Sequence, residues 1–177
     1  MNEKPTIITE RIDDIPLLLA QMERMGLAEV LDAHFPTHGN WQGLSFGRVT
    51  TIWLSSILSR GDHRLVHVEP WVAQRQMMLS QATGDIVRAQ EFSDDRLEIV
   101  LRLLSDDEAW VSFESSLNQH LVRVYDLQAE RVHVDSTSAS AYTSVSDDGL
   151  FQFGHSKDHR PVLPQDKVMQ ADLDPLG

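Results

Sequence analysis

The chain has 177 residues, 41% of them apolar, no cysteine, and a formal net charge of −12. That size suits one domain or one and a half with a packed core, and the apolar fraction argues against wholesale disorder. Lack of cysteine excludes disulfides, thiolate metal sites and a cysteine nucleophile, and the acidic balance argues against a self-sufficient DNA-binding surface.

No stretch approaches the ~20 apolar residues that cross a bilayer. The most apolar window, Val49 to Leu58, is interrupted by Thr50, Thr51, Ser55 and Ser56. The opening Met1-Asn2-Glu3-Lys4-Pro5 lacks the basic start and apolar run of a signal peptide. The expectation is a soluble, cytoplasmic protein with no membrane partner. Divided after Gln128, the first part holds 11 basic and 19 acidic residues and the remainder 4 and 8, so both parts are acidic.

The first part predicts helices joined by short loops. Asp13-Asp14-Ile15-Pro16 reads as a helix start, with proline where a missing N–H costs nothing, and Ile15, Leu18, Leu19, Met22 and Met25 follow at helical spacing. Gly26 breaks that helix. Leu27, Val30, Leu31 and Phe35 form a second ending at Pro36, and Thr37 to Gly43 is a loop. Phe46 to Ser59 predicts a buried third helix stopped by Arg60-Gly61, and Asp62 can cap a short fourth with Leu65, Val66 and Val68. Glu69-Pro70 opens a fifth running to about Gln81, and Ser93 starts a sixth with Leu97, Val100, Leu101 and Leu104 inward. Ser105-Asp106-Asp107-Glu108 has the form of a capping box before a long helix that carries Trp110, Phe113, Leu117, His120, Leu121 and Val124.

After Asp126 the pattern turns to strands. Arg131 to Thr137, Leu150 to Gly154 and Lys167 to Leu173 are the candidates, with the polar turn Ser146-Asp147-Asp148-Gly149 between the first two. Three strands without a covering helix cannot bury a sheet on both faces, so a larger α/β domain is expected to continue from them. The fold class is therefore mainly α: an all-helical domain over residues 1–128, then the opening β-meander of an α/β domain over 129–177.

Asp135, in Val132-His133-Val134-Asp135-Ser136-Thr137, is the sharpest chemical feature. An aspartate late in a buried strand presents a carboxylate on a backbone fixed by packing. RNase H-like phosphoryl-transfer enzymes hold divalent ions with such a residue. The alternative is an aspartate that caps the end of its strand by accepting the Ser136 or Thr137 amide. His63 and His67 are four apart and form a weaker metal-binding candidate with no third ligand; Asp94-Asp95 and Asp106-Asp107 suit helix starts. No Walker loop, Ser-His-Asp pattern or dinucleotide fingerprint is present.

A second motif bears on Asp135. Gly154-His155-Ser156-Lys157-Asp158-His159-Arg160-Pro161, continuing Val162-Leu163-Pro164-Gln165, resembles DDE-type insertion-sequence transposases. In one branch of that family a strand ending in Asp-(Ser/Thr)-Thr is followed by a polar hairpin and a Gly-(Tyr/His)-Ser-Lys-Asp-His-Arg-Pro segment, which leads into the next strand of an RNase H-like core. The helical part, from Arg11-Ile12-Asp13-Asp14-Ile15-Pro16 onward, looks like the N-terminal domain of unknown function of the same branch, so the resemblance covers nearly the whole chain.

The resemblance implies that residues 129–177 open an RNase H-like catalytic domain and that Asp135 matches the first acidic residue of the DDE triad, a Mg²⁺ ligand. Lys157, His159 and Arg160 would then lie near DNA phosphates. It implies a parent enzyme that cleaves DNA at terminal inverted repeats and joins it to a target, a role compatible with a homo-oligomer. Val162 stands where the family usually has aspartate, and neither Asp172 nor Asp174 matches the second triad position by context. The remaining two acidic residues are expected downstream of Gly177, so the chain is read as an N-terminal fragment that binds Mg²⁺ weakly and does not cleave DNA. The alternative function is a non-catalytic helical module for binding or dimerisation.

Overall fold

The computed structural model describes residues 9–127, 131–146, 149–154 and 162–174. Among them the protein is mainly helical, with one small antiparallel sheet. Contacts divide the chain into two units, Met1–Val124 and Tyr125–Gly177, and each is described by itself.

The first unit contains α1 (Ile15–Arg24), α2 (Leu27–His34), α3 (Phe46–Arg60), α4 (Val68–Ala73), α5 (Gln76–Thr83), α6 (Asp94–Leu104) and α7 (Asp107–Val124). Its early boundaries follow local punctuation. Pro16 sits in the first turn of α1, and Gly26, at φ 62°, closes α1 and opens α2 in a conformation that costs glycine nothing. Ser45 caps α3 by accepting the Arg48 amide at 3.2 Å.

α3 is the buried centre of the unit despite its hydroxyl residues. Thr50 Oγ1 donates to the Phe46 carbonyl at 2.8 Å, Thr51 Oγ1 to Arg48 at 3.1 Å and Ser55 Oγ to Ile52 at 2.7 Å. Each hydroxyl is satisfied by its own helix, which lets these residues enter the core without an unpaired polar group. Around α3, Phe35 lies 5.5 Å from Phe46 and 5.6 Å from Phe113 between ring centroids, and Trp110 lies 5.3 Å from Phe113. These distances suit tilted aromatic packing. α2 crosses α3 at Gly47, where an added Cβ would fall 2.0 Å from the Ala28 carbonyl oxygen.

Long-range polar contacts fix the connections. The loop predicted over Thr37–Gly43 is a loop, held at its end by residues far along the chain. Glu91, buried in a 3-10 turn (Ala89–Phe92), accepts the Leu44 amide at 2.7 Å and the Arg88 amide at 3.2 Å. Arg96 stacks 4.1 Å from the Trp41 ring centroid and donates to the Gln42 carbonyl at 2.8 Å.

Several elements differ from expectation. The helix predicted from Glu69 to Gln81 is two, α4 and α5, because Arg75 leaves the helical region (φ −139°, ψ 15°). The freed amides of α5 are taken up from outside: the Glu10 carboxylate accepts Met77 N at 3.0 Å and Met78 N at 2.7 Å. The short helix expected after Asp62 is a 3-10 turn (Leu65–His67). The cap of α7 is Asp106, whose Oδ1 accepts Ala109 N at 2.9 Å; Ser105 instead donates to the Arg102 carbonyl at the end of α6. The cap therefore lies one residue later than predicted, and Ala109, three residues on, has no side-chain acceptor to complete a capping box.

In the second unit, β1 (Arg131–Ser140) pairs antiparallel with β2 (Gln165–Asp174) along ten residues, from Arg131↔Asp174 to Ser140↔Gln165. The strand expected over Leu150–Gly154 is reduced to a single bridge, Gln152↔Gln165. Two glutamines shape this corner. Gln165 is buried and donates through Nε2 to the Gly154 carbonyl at 2.7 Å, while Gln152 Nε2 donates to Ser146 O and Gly149 O, both at 2.8 Å. Val134, Val168 and Met169 are exposed, so among the described residues this sheet has no buried face at those positions.

Candidate functional site

Asp135 lies on β1 with its backbone opposite Gln170. The local sequence explains the strand: β-branched and small hydroxyl residues tolerate the extended backbone, and β2 supplies the other half of the ladder. Two features depart from expectation. Asp135 is in the middle of a ten-residue strand and not near its end, and it is exposed and not set in a buried strand. The reason for the exposure is that two strands alone leave a sheet's faces to solvent.

The Asp135 Oδ1 accepts the Ser136 amide at 2.8 Å. That is the partner foreseen for a purely local role, although here it is made within a strand. The same bond also fixes the carboxylate's direction, as a metal-ligating carboxylate requires. Among the described residues no group of three or more His, Asp or Glu side chains is placed to hold a metal ion. Mg²⁺ needs several hard oxygen ligands in near-octahedral array. One exposed carboxylate does not make such a site, so the described residues do not fit the ion by themselves. Lys157, His159 and Arg160 lie outside the described residues, as does His155.

The other metal candidate dissolves. His63 precedes the 3-10 turn that contains His67, so the pair does not share a helix face. His67 Nδ1 is instead 2.7 Å from Asp62 Oδ2. Asp62 also receives Arg60 Nη2 at 2.9 Å and Arg64 Nε at 2.9 Å. Hydrogen bonds from Arg64 and then His67 hold the Asp62 carboxyl well below the usual carboxylate range. This cluster was not foreseen from the sequence; Arg60, Asp62, Arg64 and His67 recur every two or three residues, which was the available signal.

The pattern of the family described as Domain of unknown function (DUF4277) matches residues 7–115, well over half the chain, and the chain belongs to that family. No curated protein and no solved structure matches it. No described helix is long and apolar enough to cross a membrane.

Proposed function

We propose that these residues carry the helical N-terminal domain and the first catalytic-domain strands of a DDE-type insertion-sequence transposase. The observation that carries the reading is the placement of Asp135-Ser136-Thr137 on a strand paired with β2, the strand that follows the Ser156–Pro161 run. An RNase H-like core opens with that kind of ladder. The family assignment over residues 7–115 is compatible with the reading and names no activity.

In this proposal Asp135 is the first metal ligand, and Lys157, His159 and Arg160 lie near DNA phosphates. Mg²⁺ would activate the attacking oxygen and stabilise the leaving one in the intact enzyme. What the present residues contribute is one oriented carboxylate, which is too little for catalysis. A longer polypeptide that adds the expected Asp- and Glu-bearing segments should nick the ends of its inverted repeats in Mg²⁺, while residues 1–177 should not. Cleavage by residues 1–177 would overturn the one-carboxylate account. Failure of a folded longer polypeptide to cleave would overturn the assignment.

A second reading, a non-catalytic helical module, is favoured by one feature of the first unit. A cleft of about 270 Å³ between α2, α3, α6 and α7 is lined by Leu31, Trp53, Ile57, Leu101, Trp110 and Phe113, and Trp110 remains 42% exposed. Exposed aromatic surface beside an apolar cleft suits self-association or a partner helix. The cleavage experiment separates the two, since this reading predicts no nicking from any length of chain.

A further inference from the structure

The break between α4 and α5 places a cation in an unusual position. Arg75 is buried, with its side chain only 9% exposed, and it forms part of the wall of an open cleft of about 770 Å³. Its guanidinium has five N–H donors to satisfy. Nη1 reaches the Trp71 carbonyl at 3.3 Å, at the long end for a hydrogen bond, and Nε has no partner among the described residues. Trp71, whose indole N–H is also buried without a partner among the described residues, is another residue of the cleft wall. The nearest carboxylate to Arg75 is Asp13, whose Oδ2 stands 3.7 Å from Nη2, beyond hydrogen-bond reach, while its Oδ1 accepts Arg11 Nε at 2.6 Å.

Arg11 and Arg60 line the same cleft. Its acidic residues leave Arg75 incompletely served: Asp13 bonds Arg11 through Oδ1 while its Oδ2 stays 3.7 Å from Arg75 Nη2, and Asp14 accepts the Ser59 hydroxyl at 2.5 Å. A buried guanidinium with unmet donors is costly unless an acceptor completes it. The planar fork of arginine matches two oxygens of one oxyanion. We propose that this cleft binds a single phosphate group, with Arg75 as the principal ligand and Arg11 and Arg60 at its sides. The chain's charge of −12 disfavours a long polyanion lying across its surface, so the phosphate is either free or at the end of a nucleic-acid strand. The inference is independent of the role given to Asp135.

The test is calorimetric titration of the full 177-residue chain at constant ionic strength. The probes are inorganic phosphate and a short single-stranded oligonucleotide with or without a 5′-phosphate. Saturable binding of inorganic phosphate or of the 5′-phosphorylated strand is expected, and the tighter of the two names the source. Arg75→Gln should weaken it about tenfold or more, the size expected for a charge-assisted hydrogen bond. Asp13→Asn removes the negative charge that competes with phosphate beside Arg75 and should strengthen it. Arg11 is 78% exposed, so Arg11→Gln leaves the fold intact and should weaken binding even if Arg75→Gln does not fold. The proposal is overturned if neither phosphate probe binds saturably. It is equally overturned if folded Arg75→Gln, or Arg11→Gln where Arg75→Gln fails to fold, binds as tightly as the unaltered chain, or if the strand binds equally well without its 5′-phosphate while inorganic phosphate does not bind.

Discussion

Phe35→Ala should destabilise the helical unit by about 3–5 kcal/mol, the range for removing a large aromatic from a packed core. Phe35 ends α2 almost fully buried, at 2% exposure, and touches aromatic rings from α3 and α7 at once. Removing it takes away one of the aromatic contacts that tie α2 to α3 and α7. Its neighbours cannot all close the gap, because Phe46 and Phe113 are anchored on different helices. A total stability of about 5–15 kcal/mol is usual for a domain, so this loss is a large share. Urea denaturation followed by circular dichroism measures it; a change under about 1 kcal/mol would show that the cavity collapses and that Phe35 is not the hub.

Gly47→Ala should be comparably damaging for the opposite reason. The added methyl would lie 2.0 Å from the Ala28 carbonyl oxygen and 2.7 Å from its carbonyl carbon. Both are backbone atoms of α2 and cannot rotate aside as a side chain would. Relief requires α2 to move off α3, which also breaks the bond from Gly47 N to Asp32 Oδ1 at 2.7 Å. Overpacking commonly costs about 1–3 kcal/mol, and a clash with helix backbone belongs at or above the upper end. Gly39→Ala meets nothing within 4 Å and serves as the control. Equal denaturation midpoints for the two variants would contradict the close crossing of α2 and α3.

These two positions also show what can be read from sequence. The limits of α1 and α2 and the end of α3 were legible because Pro16, Gly26 and Gly61 act within a turn of themselves. Phe35 was legible as apolar and inward. The tightness at Gly47 was not, since it depends on a residue of another helix. The break before α5 was invisible for the same reason: Glu10, which takes up its free amides, is 67 and 68 positions away. Ser105 and Asp106 are both good caps, and the choice was made by the Arg102 carbonyl, which claims the serine hydroxyl.

For the candidate site, the strand around Asp135 followed from alternation and β-branching. Its partner did not. Strand pairing is set by register across the sheet, and β1 joins β2 along its whole length while Leu150–Gly154 contributes one bridge. Exposure of Asp135 was misjudged because burial of a strand depends on which layers cover it, and no such layer is encoded in the strand itself. The Arg75 cleft was missed altogether, since an arginine between two helices reads as surface until its surroundings are known.

Asp135→Asn in a longer polypeptide that contains these residues is the most direct test of the functional account. Asparagine keeps one oxygen able to accept the Ser136 amide and replaces the other, with its charge, by an NH2 group, so a local backbone role would survive. The assay is strand transfer of inverted-repeat DNA in Mg²⁺, with circular dichroism to verify the fold. Transfer falling to background with the fold intact is the predicted result; transfer at the unaltered rate would contradict a metal-binding role for this carboxylate.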